Sequence, residues 1–371
     1  MTADEKLMKA VLELAKKGCG ITSPNPMVGA LVVKDGKIIA QGYHEGPGKP
    51  HAEAVALEKA GGKAHGASLY VNLEPCCHHG RTPPCVDRII KAGIREVVCA
   101  MEDPNPLVSG RGFKKLMEHG ITVKKGVLEK EAQRLNEVFV KYITFGEPFV
   151  ICKFAMTLDG KIASKTGDSK WISGELSRRI VHRLRYAVDA VLTGVGTVIA
   201  DNPLLNCRLD GNIEKQPVRI ILDSNLRIPF NSRLLLDKGS KTIVVTTEKC
   251  SLKRAEKLKH MGIEVLFAPL YRERIDVRWL LKHLGEREIA GVLVEAGSSV
   301  ITSFVELGLV DKFVVFVAPK IVGGAGAPTP VAGEGAEVME QALLLEDIEV
   351  SRIGNDVMIV GYPQKQRRQK N

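Results

Sequence analysis

Apolar and polar positions along the chain fall into short segments of two periods, and the order of those segments predicts the architecture. LVVKDGKIIAQGY (31–43) places β-branched runs on either side of Asp35-Gly36, the pair that best supports a tight turn, so it predicts a hairpin. HAEAVALEKAG (51–61) reads as a helix closed by Gly61. SLYVNLEP then predicts a strand, CVDRIIKAG a short helix and REVVCAMED another strand. A helix over 113–119, a strand near ITVKKGV and one long helix over about 129–143 complete the first series. Alternation of this kind builds an α/β domain whose buried sheet is made mostly by crossovers.

Phe145-Gly146-Glu147-Pro148 interrupts the pattern, because Gly frees the backbone and Pro disfavours helix at the residue before it. We therefore expect one domain over 1–146 and another over 147–371. The second series runs FVICKFAMTLDGKIAS, the helix SGELSRRIVHRLRYA, a strand over DAVLTGVGTVI, and the strand VRIILDS. KTIVVTTE, the helix LKRAEKLKHMG and EVLFAP follow, then the helix VRWLLKHLGER, the strand GVLVEAG and the helix SVITSFVELGL. DKFVVFVAPKIVG predicts a strand, and EVSRIGNDVMIVGYP a closing hairpin.

Composition narrows the class. With 371 residues, 44% hydrophobic and 26% charged, each domain can bury a core without help from disulfides or metal, so a metal here would serve chemistry. No apolar run reaches the roughly 18 residues of a membrane span, and the opening MTADEKLMKAVLELAKKG reads as an amphipathic helix rather than a signal peptide. Eight Cys are too few for a disulfide scaffold, which predicts a reducing, cytoplasmic setting with thiols or metal ligands. The net charge of +10 is shared equally by the two halves, and basic clusters interleaved with aromatics are missing. Neither nucleic acid nor membrane is therefore expected as a partner, whereas a mildly basic body suits a phosphorylated substrate. Whether the chain forms a homo-oligomer stays open.

One constellation carries specific chemistry: His51-Ala52-Glu53 opening one helix, then Pro75-Cys76 and Pro84-Cys85 opening the next. One imidazole and two thiolates form a common three-ligand set for catalytic zinc, with the fourth position left to water. Both Cys sit near a helix start, where free N–H groups favour thiolate. Glu53, two residues beyond His51, would stand beside that water and carry its proton to a leaving amine, as hydrolytic deamination requires. The competing reading is a closed structural site with Cys77, His78 or His79 as fourth ligand, but such sites normally show two compact Cys pairs.

TSPNPMVGA (22–30), HAEAVAL and NLEPCCHHGRTPPCVDRII (72–90) together resemble the bifunctional riboflavin-biosynthesis deaminase–reductase family, and the eight residues between the two Cys are a feature of that family. The resemblance implies a cytidine-deaminase-like three-layer domain with zinc on His51, Cys76 and Cys85 and Glu53 as proton shuttle. It implies further that Asn25, His44 and Arg81 lie near the pyrimidine or its phosphate. Asn25 between two prolines would also suit a simple turn, and His44 or Arg81 a solvated loop. Where the family more often has Ser, this chain has Cys77.

The second half is harder to read from residues alone. Gly194-Val195-Gly196 lacks the third glycine of a dinucleotide fingerprint, since position 199 is Ile199. GVLVEAGSS offers a strand, a Gly-Ser turn and a helix start near Ser299, a weak phosphate site. KFAMTLDGKIAS, DSKWISG, GVGTVIADNPLLNCR and VEAGSS resemble the reductase domain of the same family, which is similar to dihydrofolate reductase and uses NADPH. That resemblance implies Ala155, Trp171, Thr197, Asp201, Gly297, Ser298 and Ser299 toward NADPH. It implies Lys153, Ser169, Arg185, Leu205, Arg208, Ser224 and Glu295 toward the ribosyl phosphate, with Arg185 and Arg208 as a clamp on the phosphate. Trp171 would equally fit a core position and Arg185 an exposed helix face.

The function expected is two successive steps: zinc-dependent hydrolysis of the 2-amino group of a ribosylaminopyrimidinone phosphate, then NADPH-dependent reduction of its ribosyl group to ribityl. The alternatives are a zinc deaminase of another nucleotide or nucleic-acid base with a regulatory second half, and a zinc-stabilised binding module without catalysis.

Overall fold

The computed structural model describes residues 1–77, 83–106, 108–211, 213 and 215–364. Arg81, with His78 and His79, lies outside the described residues. The chain divides into two units, Met1–Glu147 and Pro148–Asn371.

In the first unit, α1 (Ala3–Ala15) starts on a capping box in which Thr2 accepts from the Glu5 N–H while the Glu5 carboxylate accepts from Thr2. Its buried Met8, Val11, Leu12 and Ala15 follow the helical period. The strands β1 (Gly29–Lys34) and β2 (Lys37–Tyr43) turn at Asp35 and Gly36, both left-handed at φ 51° and 72°. Then come α2 (Ala52–Ala60), β3 (Ser68–Leu73), α3 (Cys85–Lys91), β4 (Glu96–Met101), α4 (Arg111–Glu118) and β5 (Thr122–Lys124). The expected long helix is two, α5 (Glu129–Leu135) and α6 (Glu137–Phe145), divided at Asn136. The cause is tertiary: Asn136 is buried, and its side-chain amide brackets the backbone of Met27, accepting from its N–H at 2.8 Å and donating to its carbonyl at 3.0 Å.

The sheet order is β2-β1-β3-β4-β5, with β1 antiparallel to both neighbours and β3, β4 and β5 parallel. Two glycines show how helices cover both faces. A Cβ on Gly29 would lie 2.5 Å from the Val11 carbonyl of α1, and one on Gly42 would lie 2.5 Å from the Ala52 carbonyl of α2. Gly42 pairs with Ala30, whose side chain points opposite to that of Gly29, so α1 and α2 pack on opposite faces of a three-layer α/β/α unit.

The second unit begins with β6 (Phe149–Thr157), α7 (Glu175–Ala187), β7 (Ala190–Gly194) and α8 (Val195–Asp201). Here the strand expected across 189–199 is corrected: it stops at Gly194, and a helix begins. Val195 and Val198 are its buried positions, three residues apart as a helix requires, and alternating small residues had concealed that period. β8 (Val218–Leu222), α9 (Arg233–Leu236), β9 (Thr242–Thr246), α10 (Leu252–His260) and β10 (Glu264–Phe267) continue the series. A ribbon of β11 (Leu270–Tyr271) and β12 (Arg274–Ile275), α11 (Val277–Gly285), β13 (Gly291–Val294), α12 (Ser298–Glu306) and β14 (Lys312–Ala318) follow, and β15 (Leu345–Ile353) and β16 (Asp356–Pro363) close it.

The nine strands lie in the order β10-β9-β8-β7-β13-β6-β14-β16-β15, parallel from β10 to β14 and antiparallel at the last two. Strands β7, β9 and β13 are buried at every residue, which explains their unbroken apolar runs, since a parallel sheet is covered on both faces. The chain leaves β6, builds β7 to β10 outward, and returns through α11 to lay β13 between β7 and β6. Such a reversal opens a crevice at the carboxyl ends of the strands, where ligands of open α/β sheets bind.

Candidate active sites

The residue before α2 is His51, in extended conformation, and Glu53 stands in the first turn of that helix. Cys85 is the first residue of α3, and Cys76 lies in the loop after β3. The ligand atoms of His51, Cys76 and Cys85 fall within 4.8 Å of one another. His51 Nδ1 is 3.5 Å from Cys76 Sγ and 3.3 Å from Cys85 Sγ. Tetrahedral zinc with Zn–S about 2.3 Å and Zn–N about 2.0–2.1 Å needs N···S edges of roughly 3.5 Å, so this donor set fits the ion.

The electrostatics agree. The Cys85 N–H donates to Cys76 Sγ at 3.3 Å, the free amide of a helix start meeting a sulfur. A hydrogen bond from Cys85 holds the Cys76 thiol down to about 4 against its burial, with His51 assisting. The same contact pushes Cys85 up, so the two sulfurs compete for one proton, a place that a soft divalent cation takes. Glu53 is only 4% exposed; burial raises its carboxyl above the usual range, His51 pulls it back, and the Cys85 thiol hydrogen-bonds to it. A carboxyl so placed is suited to take up a proton and hand it on.

Asn25 and His44 are brought to the same place. His44 Nδ1 faces the Pro50 carbonyl at 3.2 Å and so carries the proton, which makes Nε2 the acceptor for Asn25 Nδ2 at 3.1 Å. Burial lowers the pKa of His44 and keeps this neutral form. Its ring meets that of His51 edge to face at 5.4 Å. With its amide N–H group turned to His44, Asn25 keeps its Oδ1 to accept from a base. Cys77 packs against the unit's core and is not in the ligand cluster.

Four residues that support this site escaped the sequence reading. Buried Glu74 accepts from four backbone N–H groups, those of Asp103, Gly110, Gly112 and Phe113, at 2.9–3.2 Å. It thereby ties the head of α4 to the turn that presents Cys76. Gly112 makes the approach possible, since a Cβ there would lie 2.2 Å from the Pro75 carbonyl. Asn72 and Asn136 grip the backbone around Met27, two residues from Asn25, and so fix that loop. Glu74 does precede Pro75-Cys76 in the sequence, but nothing local announces its partners.

In the second unit the candidates form two groups. A cavity of about 780 Å³ is lined by Ser169, Thr197, Asp201, Ser224 and Gly297 to Ser299, among others. It thus joins residues assigned to cofactor with two assigned to substrate, and Ser169 Oγ donates to Asp201 at 3.0 Å. Gly297 caps α12, which starts at Ser298, one residue before the start expected near Ser299.

The second group surrounds Glu295. Arg185 meets it with two parallel hydrogen bonds, Nε to Oε1 at 2.6 Å and an Nη to Oε2 at 3.1 Å, and donates to the Asn206 carbonyl at 3.0 Å. Lys153 Nζ is 3.7 Å from the same carboxylate. The Arg185 fork is therefore committed to a carboxylate instead of standing open for phosphate, and the residue is not an exposed helix charge. Burial alone would raise Glu295, but Arg185 and Lys153 hold it down to about 2. Burial lowers Lys153, with Glu295 partly offsetting it.

Exposed Arg208 stands against His182 at 3.4 Å, and buried Leu205 takes a left-handed φ of 51° in the same loop. Burial, then Arg185 and Arg208, lower His182 to about 4, so this unassigned imidazole is neutral. Ala155 is half-buried on β6 beside Phe316 of β14. Trp171 is 63% exposed, which excludes a core role, and its ring lies 4.6 Å from the Arg178 guanidinium. Among the described residues no helix is long and apolar enough to cross a membrane.

Two family models match: the cytidine and deoxycytidylate deaminase zinc-binding region over residues 1–101 and the RibD C-terminal domain over 148–359. The riboflavin biosynthesis protein RibD of Aquifex aeolicus is 49% identical over 356 residues, covering 96% of this chain and 97% of that protein. That of Escherichia coli is 39% identical over 367 residues, 96% of this chain and 98% of its own length. Among solved structures, Acinetobacter baumannii RibD superposes with a TM-score of 0.88 at 38% identity, covering 98% of this chain and 99% of that one. The Thermotoga maritima diaminohydroxyphosphoribosylaminopyrimidine deaminase/5-amino-6-(5-phosphoribosylamino)uracil reductase does so at 0.85 and 41%, with the same coverage.

Proposed function

The chain belongs to the RibD family of bifunctional riboflavin-biosynthesis deaminase–reductases, and on that premise we propose that Glu53 moves the protons of the deamination while Lys153, Arg185 and Glu295 organise the ribosyl phosphate for reduction. The observation that carries the first half is the convergence of His51, Cys76 and Cys85 with Glu53 buried against Cys85. When bound there, zinc supplies the Lewis acidity that makes water nucleophilic at neutral pH.

The chain's own residues do the rest. Glu53 takes a proton from the attacking water as it adds to the amino-bearing ring carbon of 2,5-diamino-6-ribosylamino-4(3H)-pyrimidinone 5′-phosphate. It returns that proton to the departing nitrogen as the C–N bond breaks and ammonia leaves. Asn25 Oδ1 accepts from the ring, and neutral His44 fixes the Asn25 amide. Arg81 stays assigned to the phosphate by family resemblance.

In the second unit NADPH supplies, when bound, the hydride for C1′ of the opened ribose. Thr197, Asp201 and Gly297 to Ser299 line the cavity that suits it, with Ala155 and Trp171 assigned by resemblance. Glu295, kept ionised by Arg185, faces the ribose hydroxyls, and Lys153 holds a proton that burial has loosened. Arg208 offers the phosphate an exposed guanidinium, with Ser169, Leu205 and Ser224 completing the substrate set. This division corresponds to the two activities in the name of the Thermotoga maritima relative.

Glu53→Gln tests the reading. Ammonia release is expected to fall by roughly 10²- to 10⁴-fold with zinc content and NADPH oxidation on the deaminated substrate unchanged. Ammonia release at the wild-type rate would remove Glu53 from the mechanism.

A further inference from the structure

The loop over 204–208 in the second unit is held at its backbone by four side chains. The Arg219 guanidinium reaches the Leu204 carbonyl at 3.4 Å, and Arg185 the Asn206 carbonyl at 3.0 Å. Gln216 brackets Cys207, accepting from its N–H at 2.8 Å and donating to its carbonyl at 3.0 Å. His182 takes the end of the loop. Its Nδ1 accepts from the Arg208 N–H at 3.2 Å, its ring hydrogen-bonds the Asn206 carbonyl, and its own carbonyl accepts from the Cys207 thiol at 3.3 Å. Between these clamps Leu205 keeps a left-handed φ of 51°, which a residue other than Gly sustains only where its surroundings over-determine it. The side chain that this braced loop presents at its end is Arg208. Arg185 and Lys153 are committed to Glu295, whereas Arg208 is exposed and has no ion-pair partner among the described residues. Its Nη2 lies 3.4 Å from His182 Nε2.

We propose that His182 is a positioning residue of the reduction: by holding the Arg208 backbone it aims that guanidinium at the phosphate of the ribosyl substrate. The proposal rests on the reading of Arg208 as the phosphate's partner. His182 and Arg185 stand three residues apart on one face of α7, and the imidazole has the charges of both Arg185 and Arg208 as neighbours. Like charges repel, so an unanchored Arg208 would swing away from Arg185 into solvent and the anion would lose a donor. Only a neutral ring can prevent this. Nδ1 needs its lone pair for the Arg208 N–H, and a third positive charge would drive the two guanidinium groups further apart. Burial, then Arg185 and Arg208, enforce the neutral state by lowering His182 to about 4. The guanidinium is thereby set before substrate arrives, and less side-chain freedom is lost on binding.

The test uses the full chain, following NADPH oxidation on the deaminated substrate. His182→Ala is expected to raise the KM for the ribosyl phosphate about tenfold, the loss of one hydrogen bond, with kcat and the KM for NADPH within about twofold of wild type. Asn places its side-chain oxygen where Nδ1 stands and Gln places its own nearer Nε2, so His182→Asn should restore most of that KM and His182→Gln should not. Because His182 acts through Arg208, adding His182→Ala to Arg208→Ala should raise the KM no further than Arg208→Ala alone. A wild-type KM in His182→Ala, a fall in kcat without a rise in KM, equal behaviour of the Asn and Gln variants, or additive effects in the double variant would overturn the proposal. Retained kcat shows that the Ala variant folds, and the comparison of Asn with Gln decides the matter if it does not. A wild-type KM in Arg208→Ala would instead overturn the reading of Arg208 as the phosphate's partner, and the proposal with it.

Discussion

A carboxylate buried between two cations has a definite acid sensitivity, and Glu295 is the case here. Burial works against its charge, but Arg185 and Lys153 prevail and hold it down to about 2, below its ordinary 4.5. A depressed carboxyl adds stability above its unfolded pKa and loses it as pH falls through the folded value. The contribution of Glu295 is therefore whole above about pH 4.5 and disappears toward pH 2. Urea unfolding of wild type and Glu295→Gln at pH 6 and pH 3 checks this: the gap between them should be largest at pH 6 and shrink at pH 3. A gap independent of pH would show that the carboxylate is not held ionised by its partners. Breaking the pair from the other side with Arg185→Ala strands a buried charge and should cost about 3–5 kcal/mol.

At the scale of elements, the strand turns hold the ligands and their neighbours brace the turns. Glu74 sits at the end of β3 and gathers four N–H groups from the segment leading into α4, so the Cys76 turn and α4 move as one piece. Glu74→Gln keeps the shape but replaces one acceptor oxygen by an N–H group facing backbone donors. We expect about 2–4 kcal/mol of destabilisation and faster zinc loss to a chelator, with NADPH oxidation unaffected. Unchanged zinc release would reduce Glu74 to a simple structural part. These braces mark the limit of what the sequence could reveal. His51, Glu53, Cys76 and Cys85 were readable because each lies at a helix start or follows a proline, a local signal. Glu74 reaches partners 29–39 residues away and Asn136 grips Met27 across 109 residues, so no spacing rule could find either. Asn136 also explains why the expected helix over 129–143 divides, a tertiary clamp overriding local propensity.

Across the whole molecule, two chemistries share one chain without sharing a residue. The proposed zinc ligands and Glu53 all lie before residue 86, and the reductase candidates all lie after residue 152. The first set was legible from residue type and spacing alone, since His-x-Glu followed by two Pro-Cys pairs has few uses. The second was legible only through family resemblance, because its lining comes from the ends of several strands scattered along the sequence. Even so, Arg185 emerged as the partner of Glu295, a pairing 110 residues apart that no motif announces. The net charge of +10 suits phosphorylated ligands at both sites.

The proposed function requires that His51, Cys76 and Cys85 hold a metal that one activity needs and the other does not. Stepwise chelation of the full chain, with metal content, ammonia release and NADPH oxidation followed in the same sample, tests it directly. One zinc per chain at the start, ammonia release falling in proportion to the zinc removed, and NADPH oxidation on the deaminated substrate left intact is the predicted result. Ammonia release that persists in metal-free protein, or both activities lost together, would contradict it.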